Sequence, residues 1–180
     1  RFGEKVYKVT LNGGMSCPNR DGKLGSRGCI FCSAGGSGDF AADAALPITD
    51  QIDSQIEMLR AKRPIHKYIA YFQAYTNTYG DPAYLERIWR EALEEESVVG
   101  ISIATRPDCL GIPGVSVAVK KAEMAAVENQ SGNAETVISI LGRLQKEYAE
   151  SGKFIWIELG LHWWNYRQLC GCKRQQSALQ

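Results

Sequence analysis

Cys17, Cys29 and Cys32 form a C-x11-C-x2-C array in glycine-rich sequence, directly after a strand-like run at residues 6–11. This is an iron-sulfur ligand pattern: three thiolates on one loop would hold three irons of a 4Fe-4S cubane and leave the fourth iron without a protein ligand. An open iron can bind a substrate or cofactor. A C-x-x-C pair also serves as half of a zinc site, as a redox dithiol or, in a secreted chain, within a disulfide framework, so zinc stands as the alternative. A closed zinc site would need a fourth Cys or His close by. Cys170 and Cys172 lie far away in a polar tail, and their C-x-C spacing is tighter than zinc knuckles use. Cys109 reads as a small buried residue rather than a ligand. Gly13, Gly14, Gly35, Gly36 and Gly38 flank the array, where they would let backbone approach a cubane and donate amide bonds to sulfur.

The elements that must position this loop belong to a chain of 180 residues, 44% hydrophobic and 23% charged. That is enough for one domain with a real core, and it argues against both disorder and a membrane span. A formal charge of +1 gives no global pull toward a polyanion. The basic run Arg60, Lys62, Arg63, His66 and Lys67 reads as a solvated helix end. No apolar stretch approaches the roughly 20 residues of a membrane helix, and no signal peptide opens the chain, so no membrane partner is expected. The default compartment is cytoplasmic, where a reducing milieu suits thiolate ligands. The first residue is Arg rather than Met, so an excerpt, or a chain that has lost its start, is expected.

Apolar and β-branched runs at 6–11, 68–72, 98–104 and 154–161 alternate with helical patterns at 48–61, 82–95 and about 115–150. The alternation predicts an α/β fold whose parallel strands are buried on both faces, the fourth included. Thr49 is expected to cap the first helix and Pro82 to open the second, with Glu94, Glu95 and Glu96 as solvated surface. Residues 111–133 read as a helix interrupted by a loop. Nothing matches a Walker or dinucleotide fingerprint. His66 and His162 lack any partner pattern and read as structural or exposed. The pattern stops after Leu161, leaving at most four β/α units. A closed eight-stranded barrel takes about 250 residues, so an open or incomplete partial (β/α) barrel is expected.

Placed after the first strand of such a chain, Cys17-Pro18-Asn19-Arg20-Asp21-Gly22 and Gly28-Cys29-Ile30-Phe31-Cys32 resemble the radical S-adenosylmethionine (radical SAM) superfamily. Three further segments are similar to its bacterial YhcC-like branch, related to the elongator catalytic subunit: Ala70-Tyr71-Phe72-Gln73-Ala74-Tyr75-Thr76-Asn77-Thr78-Tyr79, Ser102-Ile103-Ala104-Thr105-Arg106-Pro107-Asp108-Cys109 and Glu158-Leu159-Gly160-Leu161. The resemblance implies a partial TIM-like barrel core at 1–161, a divergent tail at 162–180, and a cluster at the C-terminal mouth of the strands. It implies an enzyme. The open iron would chelate S-adenosyl-L-methionine, and one electron would cleave it to methionine and a 5'-deoxyadenosyl radical that abstracts hydrogen from a substrate. A single-electron donor of flavodoxin or ferredoxin type is implied as a partner. The substrate is unidentified, with tRNA suggested by analogy alone.

The same resemblance assigns Cys17, Cys29 and Cys32 to iron and Phe31 to the position that flanks adenine or shields the cluster. Gln73 to Asn77 end the second strand, where relatives contact the methionine amino group. Ser102, Thr105 and Arg106 end the third. Arg106 would meet a carboxylate of cofactor or substrate through a charge-assisted bond, against a structural salt bridge to Asp108. Glu158, a lone carboxylate in an apolar strand, needs a partner, either ribose hydroxyls or an internal ion pair. Relatives continue past the fourth strand with a Gln-Thr-type segment and at least two more units, whereas here His162-Trp163-Trp164-Asn165-Tyr166 follows. Truncation there would expose a sheet edge and remove one wall of the site, so an intact ligand motif does not by itself imply turnover. The competing classes are a zinc- or cluster-stabilised binding module without chemistry and a redox carrier.

Overall fold

The computed structural model describes residues 2–29, 32–60, 65–111 and 136–159. Its elements run β1 (Val6–Leu11), α1 (Ile48–Arg60), β2 (Lys67–Phe72), α2 (Pro82–Glu94), β3 (Val98–Thr105), a 3₁₀ turn (Pro107–Cys109), α3 (Val137–Glu147) and β4 (Phe154–Leu159). The four strands form one sheet in chain order β1-β2-β3-β4, every neighbouring pair parallel. The α/β class read from the alternation is therefore present. A doubly wound sheet reverses its strand order partway, and no reversal occurs among the described strands. The helices follow in the same series: α1 packs on β1 and α2, α2 on β3 and α3, and α3 on β4. They consequently share one face of the sheet.

Alternation along each strand decides which residues meet those helices. Val9, Ala70, Ile101 and Ile155 form one row in register, and Leu11, Phe72, Ile103 and Ile157 form the next. They pack with Ile52, Ile56, Leu85, Ile88, Trp89, Ile140 and Leu144 as the core. The intervening positions, among them Lys8, Tyr71, Trp156 and Glu158, point to the other side. The expectation of strands buried on both faces holds for the middle of β3, where Ser102 as well as Ile101 and Ile103 are 0% exposed, whereas β1 and β2 are at most half-buried on the side away from the helices. The expectation of a buried fourth strand is corrected: β4 is the last of the described strands in the sheet order, with Trp156 54% and Leu159 41% exposed. No described element covers that face.

Helix boundaries follow local chemistry. α1 begins at Ile48, so Thr49 lies inside the first turn instead of capping it, and its N–H goes to Glu91 Oε1 at 3.1 Å on α2. Asp81 caps α2 by accepting from Tyr84 N at 2.9 Å, and Pro82 opens the helix as expected. Glu94 and Glu96 are exposed and Glu95 half-buried. Lys153 complements that helix end, donating to the carbonyls of Leu93 (2.5 Å) and Glu95 (2.7 Å). Arg60 and His66 are exposed, while Lys67 pairs with Glu4 at 3.2 Å. Most of the expected interrupted helix, the tail with His162, Cys170 and Cys172, and the residues Ile30, Phe31, Lys62 and Arg63 lie outside the described residues.

An ion network locks α2 to α3. Arg143 donates to both Glu86 oxygens (2.9 and 2.8 Å), Arg90 Nε reaches Glu86 at 2.9 Å, and Arg90 also holds Glu147 at 2.5 and 2.8 Å. Hydrogen bonds from Arg143 and then Arg90 hold the Glu86 carboxyl at about 2, below its ordinary 4.5. A depressed carboxyl stabilises the fold above its unfolded value and loses that contribution as pH falls toward the folded value. Stability to urea is expected to decline between about pH 4.5 and about pH 2, and Glu86→Gln to make that decline shallower. Gly100 supplies a second test. A Cβ there would sit 2.4 Å from the Phe154 carbonyl oxygen and 2.7 Å from its ring. Gly100→Ala is expected to force β3 and β4 apart at a cost of about 1–3 kcal/mol, read as a lower urea midpoint at unchanged m.

Candidate functional site

The C-terminal ends of the four strands open on one cavity of about 300 Å³, where parallel α/β sheets gather their ligand sites. The loop after β1 contributes Cys17, Asn19, Arg20, Cys29, Cys32, Gly36 and Ser37; β2 and its end contribute Tyr71, Gln73, Tyr75 and Thr76; β3 and its end contribute Ala104, Thr105 and Arg106; β4 contributes Glu158 and Leu159. The three cysteines read as ligands thus share one cavity with Gln73, Arg106 and Glu158. Ser102 and Asn77 do not line it, and Phe31 lies outside the described residues.

The loop is fixed where it leaves β1. Gln51, fully buried on α1, donates to the carbonyls of Asn12 and Leu46 at 3.0 Å and accepts from Asn12 N at 2.9 Å, which satisfies the amide. The Cys17 carbonyl then accepts from the N–H groups of Arg20 (2.7 Å) and Asp21 (3.1 Å), and Cys32 N donates to the Cys29 carbonyl at 3.0 Å. Asn19 Nδ2 donates to Cys29 Sγ at 3.2 Å and Ser37 Oγ to Cys32 Sγ at 3.3 Å. Such donors favour the thiolate. Burial pushes the Cys32 thiol up, with neighbouring Cys29 adding to the rise and the Ser37 bond and Arg20 charge opposing it.

Two of the glycines flanking the array have a packing task. A Cβ on Gly36 would lie 2.4 Å from the Tyr75 ring, and one on Gly38 2.5 Å from Ala74 Cβ. Their absence lets the cysteine loop settle on the turn after β2. Tyr75 (φ 64°) and Ser37 (φ 67°) are the two non-glycine residues with left-handed backbone among the described ones, and both line the cavity. That conformation costs about 1–2 kcal/mol per residue. Tyr75 is held in it by N–H donation to the Gly36 carbonyl (2.9 Å) and by its hydroxyl on the Ala34 carbonyl (3.0 Å).

Asn77, 1% exposed, donates through Nδ2 to the carbonyls of Phe72 and Ala104 at 3.0 Å each, clasping the ends of β2 and β3. Ser102 lies inside β3 and donates to Glu158 Oε1 at 2.8 Å, so it holds a cavity residue and does not reach the cavity itself. Glu158 is neither lone nor fully buried. Burial would raise its carboxyl, but hydrogen bonds from Lys8, Ser102 and Tyr71 outweigh that and lower it. The Lys8 ammonium also sits 4.0 Å from the Tyr71 ring centroid. Tyr71 is pushed up to about 12 by burial and by the Glu158 charge. Arg106 donates to both oxygens of Asp108 (2.9 and 2.7 Å), the structural alternative named above, while lining the cavity. Asn19, Arg20, Ser37 and Tyr71 were given no role from the sequence, whereas Tyr75 lies within the stretch 73–77 read there as a cofactor contact. For Asn19 and Arg20 the available signal was their place inside the cysteine motif.

Among the described residues no three His, Cys, Asp or Glu side chains are grouped to hold a metal ion. The three thiols border a cavity together with two guanidinium groups, Arg20 and Arg106, and with side chains that donate to sulfur. Thiols with positive charge and hydrogen-bond donors beside them fit an anionic, thiolate-held group, and an iron-sulfur cluster is one such group.

No protein-family model matches the chain. It is 39% identical over 160 residues to the uncharacterized protein YtqA of Bacillus subtilis, a stretch covering 89% of this chain and 41% of that protein. It is 36% identical over 162 residues to the protein YhcC of Escherichia coli K12 (89% and 42%). It is 31% identical over 163 residues to the uncharacterized protein MJ0486 of Methanocaldococcus jannaschii (89% and 41%). The chain spans about two fifths of the length of these curated relatives, and none of their names carries an activity.

Cys109 gives a direct test of the site's electrostatics. Burial first, and then the Asp108 charge, push its thiol from 9.0 up to about 12. Since the thiolate is the nucleophile, iodoacetamide at pH 8 is expected to label Cys109 roughly a thousandfold more slowly than an unperturbed cysteine, as measured by peptide mass spectrometry. Labelling at the ordinary rate would show the site to be open and polar at that point.

Proposed function

We propose that this chain is a radical S-adenosylmethionine protein of the YhcC-like branch, with a partial TIM-like (β/α) barrel and a 4Fe-4S cluster held by Cys17, Cys29 and Cys32. The observation that carries the reading is the meeting of three thiols from one loop at a cavity on the C-terminal ends of four parallel strands. With Cys17, Cys29 and Cys32 holding it, such a cluster would supply the one electron that cleaves the sulfonium of S-adenosylmethionine to methionine and a 5'-deoxyadenosyl radical for hydrogen abstraction from a substrate.

The chain's own residues hold, orient and shield. Asn19 and Ser37 donate to the cysteine sulfurs, and Arg20 brings positive charge to thiolates that carry negative charge. Gln73, at the end of β2, offers polar groups to the cofactor's amino end. Arg106, fixed by Asp108, presents charge to a carboxylate. Glu158, oriented by Lys8, Ser102 and Tyr71, accepts from ribose hydroxyls. Phe31, inside the C-x-x-C pair, is the residue that the resemblance assigns to the adenine. The electron comes from a flavodoxin- or ferredoxin-type donor, and the cytoplasm suits both donor and cluster. tRNA, by analogy with the elongator-like relatives, is the substrate class to assay first. Because the chain spans about two fifths of its relatives, turnover on that substrate belongs to the proposal as well.

The test is anaerobic reconstitution with iron and sulfide, then reduction in the presence of S-adenosylmethionine with assay for 5'-deoxyadenosine. The expected result is iron and sulfide near four of each per chain and cofactor cleavage, both lost in Cys29→Ala. One zinc per chain and no cleavage would replace this reading with the binding module.

A further inference from the structure

We propose that Arg20 is the positioning residue that closes the cysteine loop over its cavity before any metal arrives. The assignment rests on the reading of the thiols as ligands only for what the closed loop is there to hold.

Arg20 lies three residues after Cys17, and its guanidinium reaches across to the segment that follows Cys32. Nη1 donates to the Ala34 carbonyl at 3.2 Å and Nη2 to the Ser33 carbonyl at 2.5 Å. The same group lies 5.5 Å from the Tyr75 ring centroid, and the Tyr75 hydroxyl donates to the same Ala34 carbonyl at 3.0 Å. One side chain therefore joins the turn after the first cysteine, the segment after the third, and the end of β2. The middle cysteine is tied in through its neighbour. Gly28 (φ 71°) donates its N–H to the Asn19 carbonyl at 2.9 Å, and a Cβ there would fall 2.7 Å from Arg20 Nε. The guanidinium occupies the space that only a glycine before Cys29 leaves.

The task needs this side chain's shape as well as its charge. A planar fork of donors spans two carbonyls and stacks on a ring at once, whereas an ammonium is a compact point charge. The loop it closes has little apolar burial of its own, since residues 21–24 and 26–27 are exposed. Closure against chain entropy accordingly falls to polar contacts of this kind.

Amide hydrogen exchange on the metal-free chain tests this without any cluster chemistry. The Gly28 amide, bonded to Asn19, and the Gly36 amide, bonded to the Ser33 carbonyl at 3.1 Å, report closure at the two ends of the staple. Both are expected to exchange about tenfold faster in Arg20→Gln and in Arg20→Lys, with the β2 and β3 strand amides unchanged. After reconstitution with iron and sulfide, both variants are expected to lose iron to a chelator several-fold faster than wild type. Unchanged exchange in Arg20→Gln overturns the proposal, as does full rescue by Arg20→Lys, which would leave charge and not closure as the function. The two readings separate cleanly. A wild-type chain that takes up no cluster while its loop responds refutes the cluster and keeps the staple; a cluster retained with an unresponsive loop does the reverse.

Discussion

Parallel strands laid down in chain order, with the described helices packed on the same face, constrain everything else in this molecule. The order β1-β2-β3-β4 and the serial packing of α1, α2 and α3 leave one sheet face apolar and covered and the other open to polar side chains. They also bring the C-terminal ends of all four strands to one rim. Strand-end loops are where a sheet of this type places chemistry, because the scaffold beneath is rigid and the loops are free to vary. The cavity bordered by the three cysteines follows from that topology before any particular side chain is considered.

What the topology does not settle is how a long loop with exposed polar residues stays in one conformation. The answer lies in its contacts with the turn after β2. Tyr75 takes a left-handed backbone and lays its ring where Gly36 has no Cβ. Tyr79 donates to Asp21 at 2.6 Å, and Arg20 reaches Ser33 and Ala34. Backbone strain persists only where the surroundings over-determine it, and here both left-handed non-glycine residues among those described border the cavity. The strain is offset by contacts that hold the cysteines in place, so the loop's rigidity and its unusual backbone have the same origin.

The legible parts of this chain were those with local causes. Runs such as 6–11 and 98–104 read as strands because β-branched and apolar residues suit a pleated, packed surface, and the strands appear there within a residue at each end. The cysteine array was legible because ligand spacing is itself a sequence property. The capping of α1 was missed by one turn position, since Thr49 and Ile48 are both acceptable starts and the choice fell to Glu91 on another helix. The burial of β4 was misread because an apolar run does not say what covers it. Asn77 and Ser102 were read as cofactor contacts, and the bonds that position them, to Phe72, Ala104 and Glu158, join neighbouring strands that the sequence does not pair. Gln51, buried and fully bonded, carried no signal in its helical context, because its partners Asn12 and Leu46 become neighbours only when β1 and α1 pack.

The contact between Lys8 and Glu158 measures a property that neither residue type announces, the curvature of the sheet. Lys8 is in register with Ile69, Gly100 and Phe154, so Glu158 stands three strands across and four residues along. On a flat sheet their Cα atoms would be about 14 Å apart in one direction and about 13 Å in the other, with the side chains standing off the surface. Their ion pair, joined by Ser102 and the Tyr71 phenol, requires strands that coil and close concavely on the side away from the helices. The pair itself is a poor candidate for the cause. Its side chains are 37% and 30% exposed, and partly solvated pairs contribute about 0–1 kcal/mol. Strand twist and the apolar rows beneath the helices supply the driving force, and the ion pair forms because curvature has brought its members together. Once formed, it fixes the direction of the Glu158 carboxylate at the edge of the cavity, so the bend of the sheet is converted into the orientation of a functional group.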